Sequence, residues 1–596
     1  MDQNEIRQTY KTRHSNFSGQ SANLKQEINV ISNLRLGSVV AMAIAFYYTL
    51  TTPLPALSLV VVALLLVFFY LVAKHAKMFR QKTHLENLVQ INRFEESALS
   101  GEWTSADPGD EFNDPHHPYT HDLDIFGKGS LYQYINRATT LTGKSKVATR
   151  LKGGLSSSDK ISAVQKAVTD LADRMDFRQN FQAGGMEAGE KPADMQQLRE
   201  WLTHPSFLPV SKTFAFVLVV VPVATIIALV LAFLYPVFKI VLFPLVLLQW
   251  ILAAVYLKRI NVFHEYISRK KNIVMKYADL LLYVEKEEFN SPLLKETSAI
   301  ANEAHGHVRR LGSLVSALDA RTNTLMTFFV NSLLLYDLQC VYRLEQWKIR
   351  HREKLPQWLD AITEVEVLNS LATFAYNHPG FCFPKITTEI AVTATGLAHP
   401  LIHPAERVSN DFSIGKTSAV HIVTGANMAG KSTFLRTLGV NMILALNGAP
   451  VCAGSFSCPI IRLRTGMRTA DSLQDHQSYF FAELNRLKEI MDELRQGKPL
   501  LILLDEILKG TNSNDKQAGS IALVRQLLPH PCLAVIATHD LALGELEKEN
   551  PGQVSNFCFE ANIENDQLSF DYRLKKGIAT KMNASFLMKK MGIIPE

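Results

Sequence analysis

The sequence predicts a largely helical chain that ends in an α/β domain with a parallel sheet and carries two transmembrane helical hairpins. Three observations predict it. Ala419-Val-His-Ile-Val423, Pro499-Leu-Leu-Ile-Leu-Leu-Asp505 and Cys532-Leu-Ala-Val-Ile-Ala-Thr538 are short, continuous apolar runs, as in strands buried on both faces of a sheet. Two stretches, 36–73 and 213–257, carry no charge apart from Lys239. From Phe263 to Tyr376 the apolar residues recur at helical spacing.

Taken in order, residues 1–35 are polar and read as helical, with Arg7, Lys11, Arg13, Lys25 and Arg35. This charged start is no cleavable signal peptide. Residues 36–73 form the first hairpin. Pro53 and Pro55 divide it into apolar halves of about 17 and 18 residues, near the lower limit for crossing a bilayer. Lys74, Lys77, Arg80 and Lys82 follow at once. Residues 74–120 are expected as a linker. Within it and just beyond, Ala106 to Asp124 is rich in Asp, Pro and His. His116, His117, His121, Asp122 and Asp124 there lack a ligand spacing on a defined helix, so a solvated loop is expected rather than a metal site.

Residues 121–212 and 258–385 read as two parts of one helical domain, interrupted by the second hairpin at 213–257 with its turn at Tyr235-Pro236. Helical hairpins inside a soluble core keep a polar stripe, and these do not. Basic residues flank the outer ends of both, which places the termini, the middle segment and the C-terminal domain (386–596) in the cytoplasm of a multi-pass membrane protein, with a bacterial inner membrane as its expected location. Only tiny turns face outside, and no ionisable residue lies within the spans, which argues against a receptor or an ion path.

The chain as a whole is 47% hydrophobic, with a mean hydropathy of +0.04 that owes its height to the two hairpins. A net charge of +6 permits contact with nucleic acid or an anionic membrane without demanding either. Six cysteines without C-x-x-C spacing read as free thiols in a reducing compartment.

The chemistry gathers at the ends of the three apolar strands. Gly425, Gly430, Lys431 and Ser432 fit G-x-x-x-x-G-K-[ST], and a helix is expected from Thr433 to Leu446. Strand, glycine loop and helix N-terminus together cradle phosphates with backbone N–H groups. Lys431 would reach the β- and γ-phosphates and Ser432 would ligand Mg²⁺. Asp505 and Glu506 stand at the carboxyl end of the second strand, where open α/β sheets bind ligands. Asp505 would hold Mg²⁺ through water and Glu506 would polarise the attacking water. The third strand delivers His539 and Asp540 to the same edge, where His539 would sense the γ-phosphate.

As an ordered set these segments resemble the MutS DNA mismatch-repair ATPases. Thr424-Gly-Ala-Asn-Met-Ala-Gly-Lys-Ser-Thr433 is similar to their nucleotide loop, including the Asn427-Met428 pair that generic phosphate loops lack. Leu504-Asp-Glu-Ile-Leu-Lys-Gly-Thr-Asn512 resembles their Walker B segment, Ser478-Tyr-Phe-Phe-Ala-Glu-Leu484 their signature segment, and Ala537-Thr-His-Asp540 their histidine loop. Gly577-Ile-Ala-Thr-Lys581 and Gly592-Ile-Ile-Pro595 are similar to the end of their ATPase domain. Upstream, Ile125 to Gly143 resembles the start of the family's core or lever domain, a short helix, a Thr-x-x-Gly turn and another helix. Leu359 to Leu371 resembles the long lever helix that enters the ATPase domain; Phe383-Pro384 breaks it and Gly396-Leu-Ala-His-Pro400 opens the nucleotide domain.

The resemblance covers roughly 121–205 and 260–596. It implies an ABC-like P-loop NTPase domain, an all-α lever domain, and ATP with Mg²⁺ as ligands. Gly425, Ala426, Asn427, Met428, Ala429, Gly430, Lys431, Ser432 and Thr433 would line the nucleotide site, and Ser432 and Asp505 would hold the metal. Glu506, Lys431 and His539 would carry catalysis, joined by Ser478 reaching the γ-phosphate of a partner subunit. A homodimer through the ATPase domains and a DNA partner, mismatched or branched, are further implications.

Several features depart from the pattern. Gln474-Asp-His-Gln-Ser478 is bulkier than the glycine-containing signature, which puts dimer-dependent hydrolysis in question. Lys509 and Asn512 also differ from the usual residues. Nothing before the lever region has the length or pattern of a mismatch-reading domain, the DNA clamp is too short, and no helix-turn-helix module is expected after Pro595. The leading expectation is a membrane-anchored ATPase that uses hydrolysis to move its lever. The alternative is an ABC-type membrane ATPase, transporter-like, or a membrane-organising protein without DNA binding.

Overall fold

Asp2 and Glu5 open the first helix in the computed structural model, whose described residues are 2–52, 55–267, 270–319, 324–416, 418–468, 479–564 and 567–579. The Asp2 carboxylate accepts from the Glu5 N–H at 2.8 Å and Glu5 accepts from the Asp2 N–H at 2.9 Å, a reciprocal cap on the free helix end. This helix, Gln3–Thr51, is 49 residues long, and Pro55–Leu99 returns alongside it. At 1.5 Å per residue the pair is about 70 Å long. Its tip is bare apolar surface, with Leu50 and Leu59 each 72% exposed. Its base grips the helical domain through Ile6, Tyr10 and Leu99, which pack with Met175 and Tyr376. Residues 74–99, expected as linker, continue the second helix, because Leu88 and Ile91 bury against Ala183.

Lys212–Leu234 and Lys239–Ile267 make the second hairpin, joined by the turn Pro236–Phe238. Together with the first pair this gives four helices long and apolar enough to cross a membrane, by length and composition. The sequence shows no ionisable group in these spans but does hide a polar pair. Gln249 Nε2 donates to Thr225 Oγ1 at 2.5 Å, and both residues are fully buried between the hairpin helices. The short helix Thr324–Leu334, expected within the lever, lies against this hairpin instead, where Trp250 Nε1 donates to Ser332 Oγ at 2.8 Å. The helix carries no charged residue, and Phe328, Phe329 and Val330 give it an apolar run in sequence.

The remaining helices gather around Leu355–Asn377, the long helix expected as the lever. Leu141–Gly153, Ser158–Ala172 and Pro292–Asp319 all pack on it. The Thr-x-x-Gly turn has a specific reason. Thr140 Oγ1 accepts from Gly143 N at 2.9 Å and caps Leu141–Gly153. A Cβ on Gly143 would fall 1.9 Å from the Glu366 carboxylate, which accepts from Thr139 N at 2.7 Å and Thr140 N at 2.9 Å. Burial raises the Glu366 carboxyl, and the threonine donors oppose that.

Ten strands follow: β1 Lys385–Thr387, β2 Val392–Leu397, β3 Asn410–Ile414, β4 Val420–Gly425, β5 Ser455–Pro459, β6 Arg462–Gly466, β7 Leu500–Asp505, β8 Cys532–Thr538, β9 Val554–Glu564 and β10 Gln567–Lys576. The main sheet has the order β10-β9-β4-β8-β7-β6 and is parallel except for the hairpin β9–β10. A smaller sheet, β1-β5-β2-β3, stands beside it. The period-2 rule divides the apolar runs between two cores: Leu501 and Leu503 face the core shared with the helical domain, while Leu500, Ile502 and Leu504 face the helices Tyr479–Arg495 and Ser513–Leu527. Both faces are covered, as the unbroken apolar runs predict.

Candidate active site

The parallel arrangement of β4, β8 and β7 brings three strand ends to one edge, carrying Gly425, Thr538 and Asp505. Gly425 cannot be replaced there: its φ is +152° and a Cβ would lie 2.7 Å from the Phe559 carbonyl oxygen. The loop rises through Ala426 and the exposed Asn427 and Met428, tucks Ala429 under, and turns at Gly430 into the helix Lys431–Leu446, starting two residues before the predicted Thr433. Thr433 is exposed on its first turn. The helix points its N-terminus at the loop, the polarity an anionic ligand requires.

The predicted side chains converge. Lys431 is 5% exposed, and its ammonium donates to the carbonyls of Gly425 at 2.7 Å and Ala426 at 2.9 Å. Burial lowers its pKa, and Glu506 and Asp505 oppose the shift. Ser432 Oγ donates to Asp505 Oδ2 at 2.5 Å, while Asp505 Oδ1 is buried with no hydrogen-bond partner. A hydroxyl beside a carboxylate with a spare oxygen suits a small, hard divalent cation, so these residues fit Mg²⁺. Glu506 Oε1 lies 2.5 Å from His539 Nε2, and His539 Nδ1 is 3.0 Å from the Gly425 carbonyl oxygen. His539 above all pulls the Glu506 carboxyl down to about 2, so it is ionised.

Residues 421–596 match the family model described as MutS domain V. The DNA mismatch repair protein MutS of Thermotoga sp. (strain RQ2) is 30% identical over 249 residues, 41% of this chain and 30% of that protein. MutS of Aquifex pyrophilus is 30% identical over 261 residues, 43% of this chain and 30% of that protein. The chain is thus similar to MutS proteins through this C-terminal domain. It spans about 30% of the length of the curated relatives it matches.

In this MutS domain, two residues that depart from the family pattern have local work to do. Lys509 Nζ stands 3.5 Å from Glu506 Oε2, a second cation beside the carboxylate. Asn512 caps Ser513–Leu527 by accepting from Asp515 N at 2.9 Å. Glu506 and Leu508 both have left-handed backbones, with φ of 54° and 60°. The loop is held in that conformation by Glu483, whose Oε1 accepts from Leu508 N at 2.5 Å. Glu483 belongs to the quoted signature segment, but its contact with a loop 25 residues away is not visible in the sequence. Ser478, with all of 469–478, lies outside the described residues, as do Thr580, Lys581 and Gly592 to Pro595.

The Asp- and His-rich stretch is a loop, as expected, with Asp110 and His116 exposed, but its end from Tyr119 on is not solvated. Asp122 is fully buried against the MutS domain, where Oδ2 accepts from Thr465 Oγ1 at 2.6 Å and Met467 N at 3.1 Å, Oδ1 accepts from Arg468 N at 3.1 Å, and Arg486 pairs with it at 3.0 Å. Four donors from the end of β6 and from Tyr479–Arg495 make a place for a carboxylate that composition cannot reveal. Asp122→Asn turns one acceptor into a donor facing N–H groups and leaves Arg486 without its counter-charge. A loss of about 2 kcal/mol is expected, read as a lower thermal midpoint of the detergent-solubilised protein.

Proposed function

We propose that the protein is a membrane-anchored MutS-like ATPase that binds ATP with Mg²⁺ and uses hydrolysis to move a helical lever. The observation that carries this reading is the constellation at the sheet edge, where Lys431 and Ser432 on the first turn of their helix meet Asp505, Glu506 and His539 at two neighbouring strand ends. Lys431, engaged with loop carbonyls, would turn to the β- and γ-phosphates. Mg²⁺ held by Ser432 and Asp505 would neutralise charge building between those phosphates. Glu506 Oε1 would take the proton of the attacking water, with His539 orienting the carboxylate. Ser478 would complete the site of a partner subunit in a homodimer.

On this reading 386–596 is the motor, 121–212 and 258–385 the lever, and 36–73 and 213–257 the membrane hairpins, with 1–35 and 74–120 cytoplasmic. The path from motor to lever is supported by packing. Leu123 sits where a Cβ on Gly439 would fall, on the helix that begins at Lys431, and Leu155 N donates to Leu446 O at 2.8 Å at its other end. A DNA partner comes from the relatives, whose names describe DNA mismatch repair.

The test is ATP hydrolysis by the detergent-solubilised protein at low salt, alone and with duplex, mismatched or branched DNA. Stimulation by one DNA form, lost as salt is raised, is the result expected of a DNA-directed machine. Rates indifferent to every form would remove DNA from the proposal and leave a membrane-directed ATPase. No hydrolysis under any condition would overturn the ATPase reading.

A further inference from the structure

Where the first hairpin leaves its apolar run, the helices Gln3–Thr51 and Pro55–Leu99 and the helix Lys271–Lys286 enclose an open cleft of about 790 Å³. Its lining is mixed in charge: Lys77, Arg80 and Lys286 against Glu27, Glu187 and Asp279. Among the described residues, none of Lys77, Arg80, Lys286 or Glu27 has an ion-pair partner, although the opposite charges share one cavity. Leu24, Leu85 and Tyr283 add apolar wall.

The position of the cleft along the hairpin narrows its ligand. Lys77 lies four residues beyond Ala73, the end of the charge-free run, and Arg80 seven. At 1.5 Å per residue they stand roughly 6 and 10 Å below the hydrocarbon edge, and Glu27, nine residues before Leu36, roughly 14 Å. The polar layer of one leaflet is about 5 to 7 Å deep. Lys77 therefore stands within the headgroup layer, Arg80 a few ångströms beneath it and Glu27 lower still. Three charges of each sign suit a zwitterion better than an anion. Burial, and then Glu187, raise the Asp279 carboxyl, while Arg80, Arg309 and His305 oppose the shift.

We propose that this cleft holds the headgroup of an aminophospholipid of the cytoplasmic leaflet, its phosphate between Lys77 and Arg80 and its ammonium against Glu27 and Asp279. The inference rests on the membrane reading of the hairpins. Cation and anion would each gain charge-assisted hydrogen bonds at groups left without ion pairs in the protein. The two acyl chains would lie along the apolar tip of the hairpin.

The experiment uses the full chain reconstituted in phosphatidylcholine vesicles with added phosphatidylethanolamine or phosphatidylglycerol, extracted in detergent, with retained lipids counted by native mass spectrometry. The wild type is expected to retain phosphatidylethanolamine over both other lipids, and Lys77→Ala/Arg80→Ala to retain about tenfold less. Both side chains are exposed, so folding is not at stake. Equal retention by variant and wild type, or a preference for phosphatidylglycerol, overturns the proposal. Displacement of the lipid by an equal concentration of soluble glycerophosphoethanolamine would assign the site to a free metabolite and overturn the lipid source. Carbonate extraction of the membranes separates the two readings: release into the supernatant defeats the membrane reading itself, whereas retention in the pellet with indifferent lipid binding defeats this inference alone.

Discussion

Glu506→Gln protein is expected to bind ATP as the wild type does and to hydrolyse it on the order of 10² to 10⁴ times more slowly. The argument is geometric. Glu506 sits at the end of β7 with a left-handed backbone, its carboxylate 2.5 Å from His539 and 3.5 Å from Lys509. The His539 hydrogen bond and Lys509 hold the carboxyl ionised, so it is present as an acceptor for the water proton, with its basicity lowered by the same contacts. Glutamine has the same shape and can still accept from His539, so the loop and the phosphate cradle should stand. It cannot take a proton from water, and that one loss corresponds to about 3 to 5 kcal/mol of barrier. Lys431→Ala supplies the contrast: it removes the ammonium that would meet the phosphates, so binding itself should fail. A fluorescent ATP analogue reads affinity and single-turnover hydrolysis reads chemistry. Near-normal turnover by Glu506→Gln would remove Glu506 from its catalytic place.

The parts of this site that were legible in the sequence are those set by local pattern. Strands buried on both faces must be apolar throughout, so β4, β7 and β8 declare themselves. A loop that runs so close to Phe559 that a Cβ at 425 would lie 2.7 Å from its carbonyl oxygen must place glycine there, as the phosphate-loop spacing does. What stayed hidden depends on partners far away in the chain. Asp122 reads as a solvated loop carboxylate until the donors of Thr465, Met467 and Arg468 surround it. Glu483 is legible only as part of the Ser478–Leu484 segment, and its contact with Leu508 N is not. Thr225 and Gln249 read as incidental polar residues in apolar runs, yet each is the other's partner across the hairpin.

These hidden contacts share a location. They join elements that sequence separates: Asp122 ties the segment before Leu131 to the C-terminal domain, Glu483 ties a helix to the loop after β7, and Thr225 ties the two helices of the second hairpin. A machine that converts phosphate chemistry into movement needs stiff joints at such places, and buried polar pairs have the directionality that apolar packing lacks. The joint at the base of the first hairpin makes the strongest case.

There Arg137 and Glu95 form a buried ion pair, with side chains 5% and 1% exposed. Glu95 also accepts from Asn377 Nδ2 at 2.8 Å, and Asn377 Oδ1 accepts from the Tyr10 hydroxyl at 2.9 Å. Burial, with Glu95 nearby, raises the Tyr10 hydroxyl, so it remains a neutral donor. Both helices of the first hairpin, the segment before Thr140 and the end of the lever helix thus meet in one network. Arg137→Ala strands a buried carboxylate, for which a loss of about 3 to 5 kcal/mol is typical. The expected result is a lower thermal midpoint together with faster hydrogen exchange over Gln3 to Tyr10, since that helix end is held by Asn377 and the small Ile6–Tyr10–Leu99 cluster. Glu95→Leu/Arg137→Met, which removes both charges at similar volume, should recover much of the loss, less the part owed to Asn377 losing its acceptor. If Arg137→Ala left both stability and exchange unchanged, the pair would be no joint, and the hairpin would have to be held by its other contacts, among them Arg13 with Asp176 and Asn92 with Gln179.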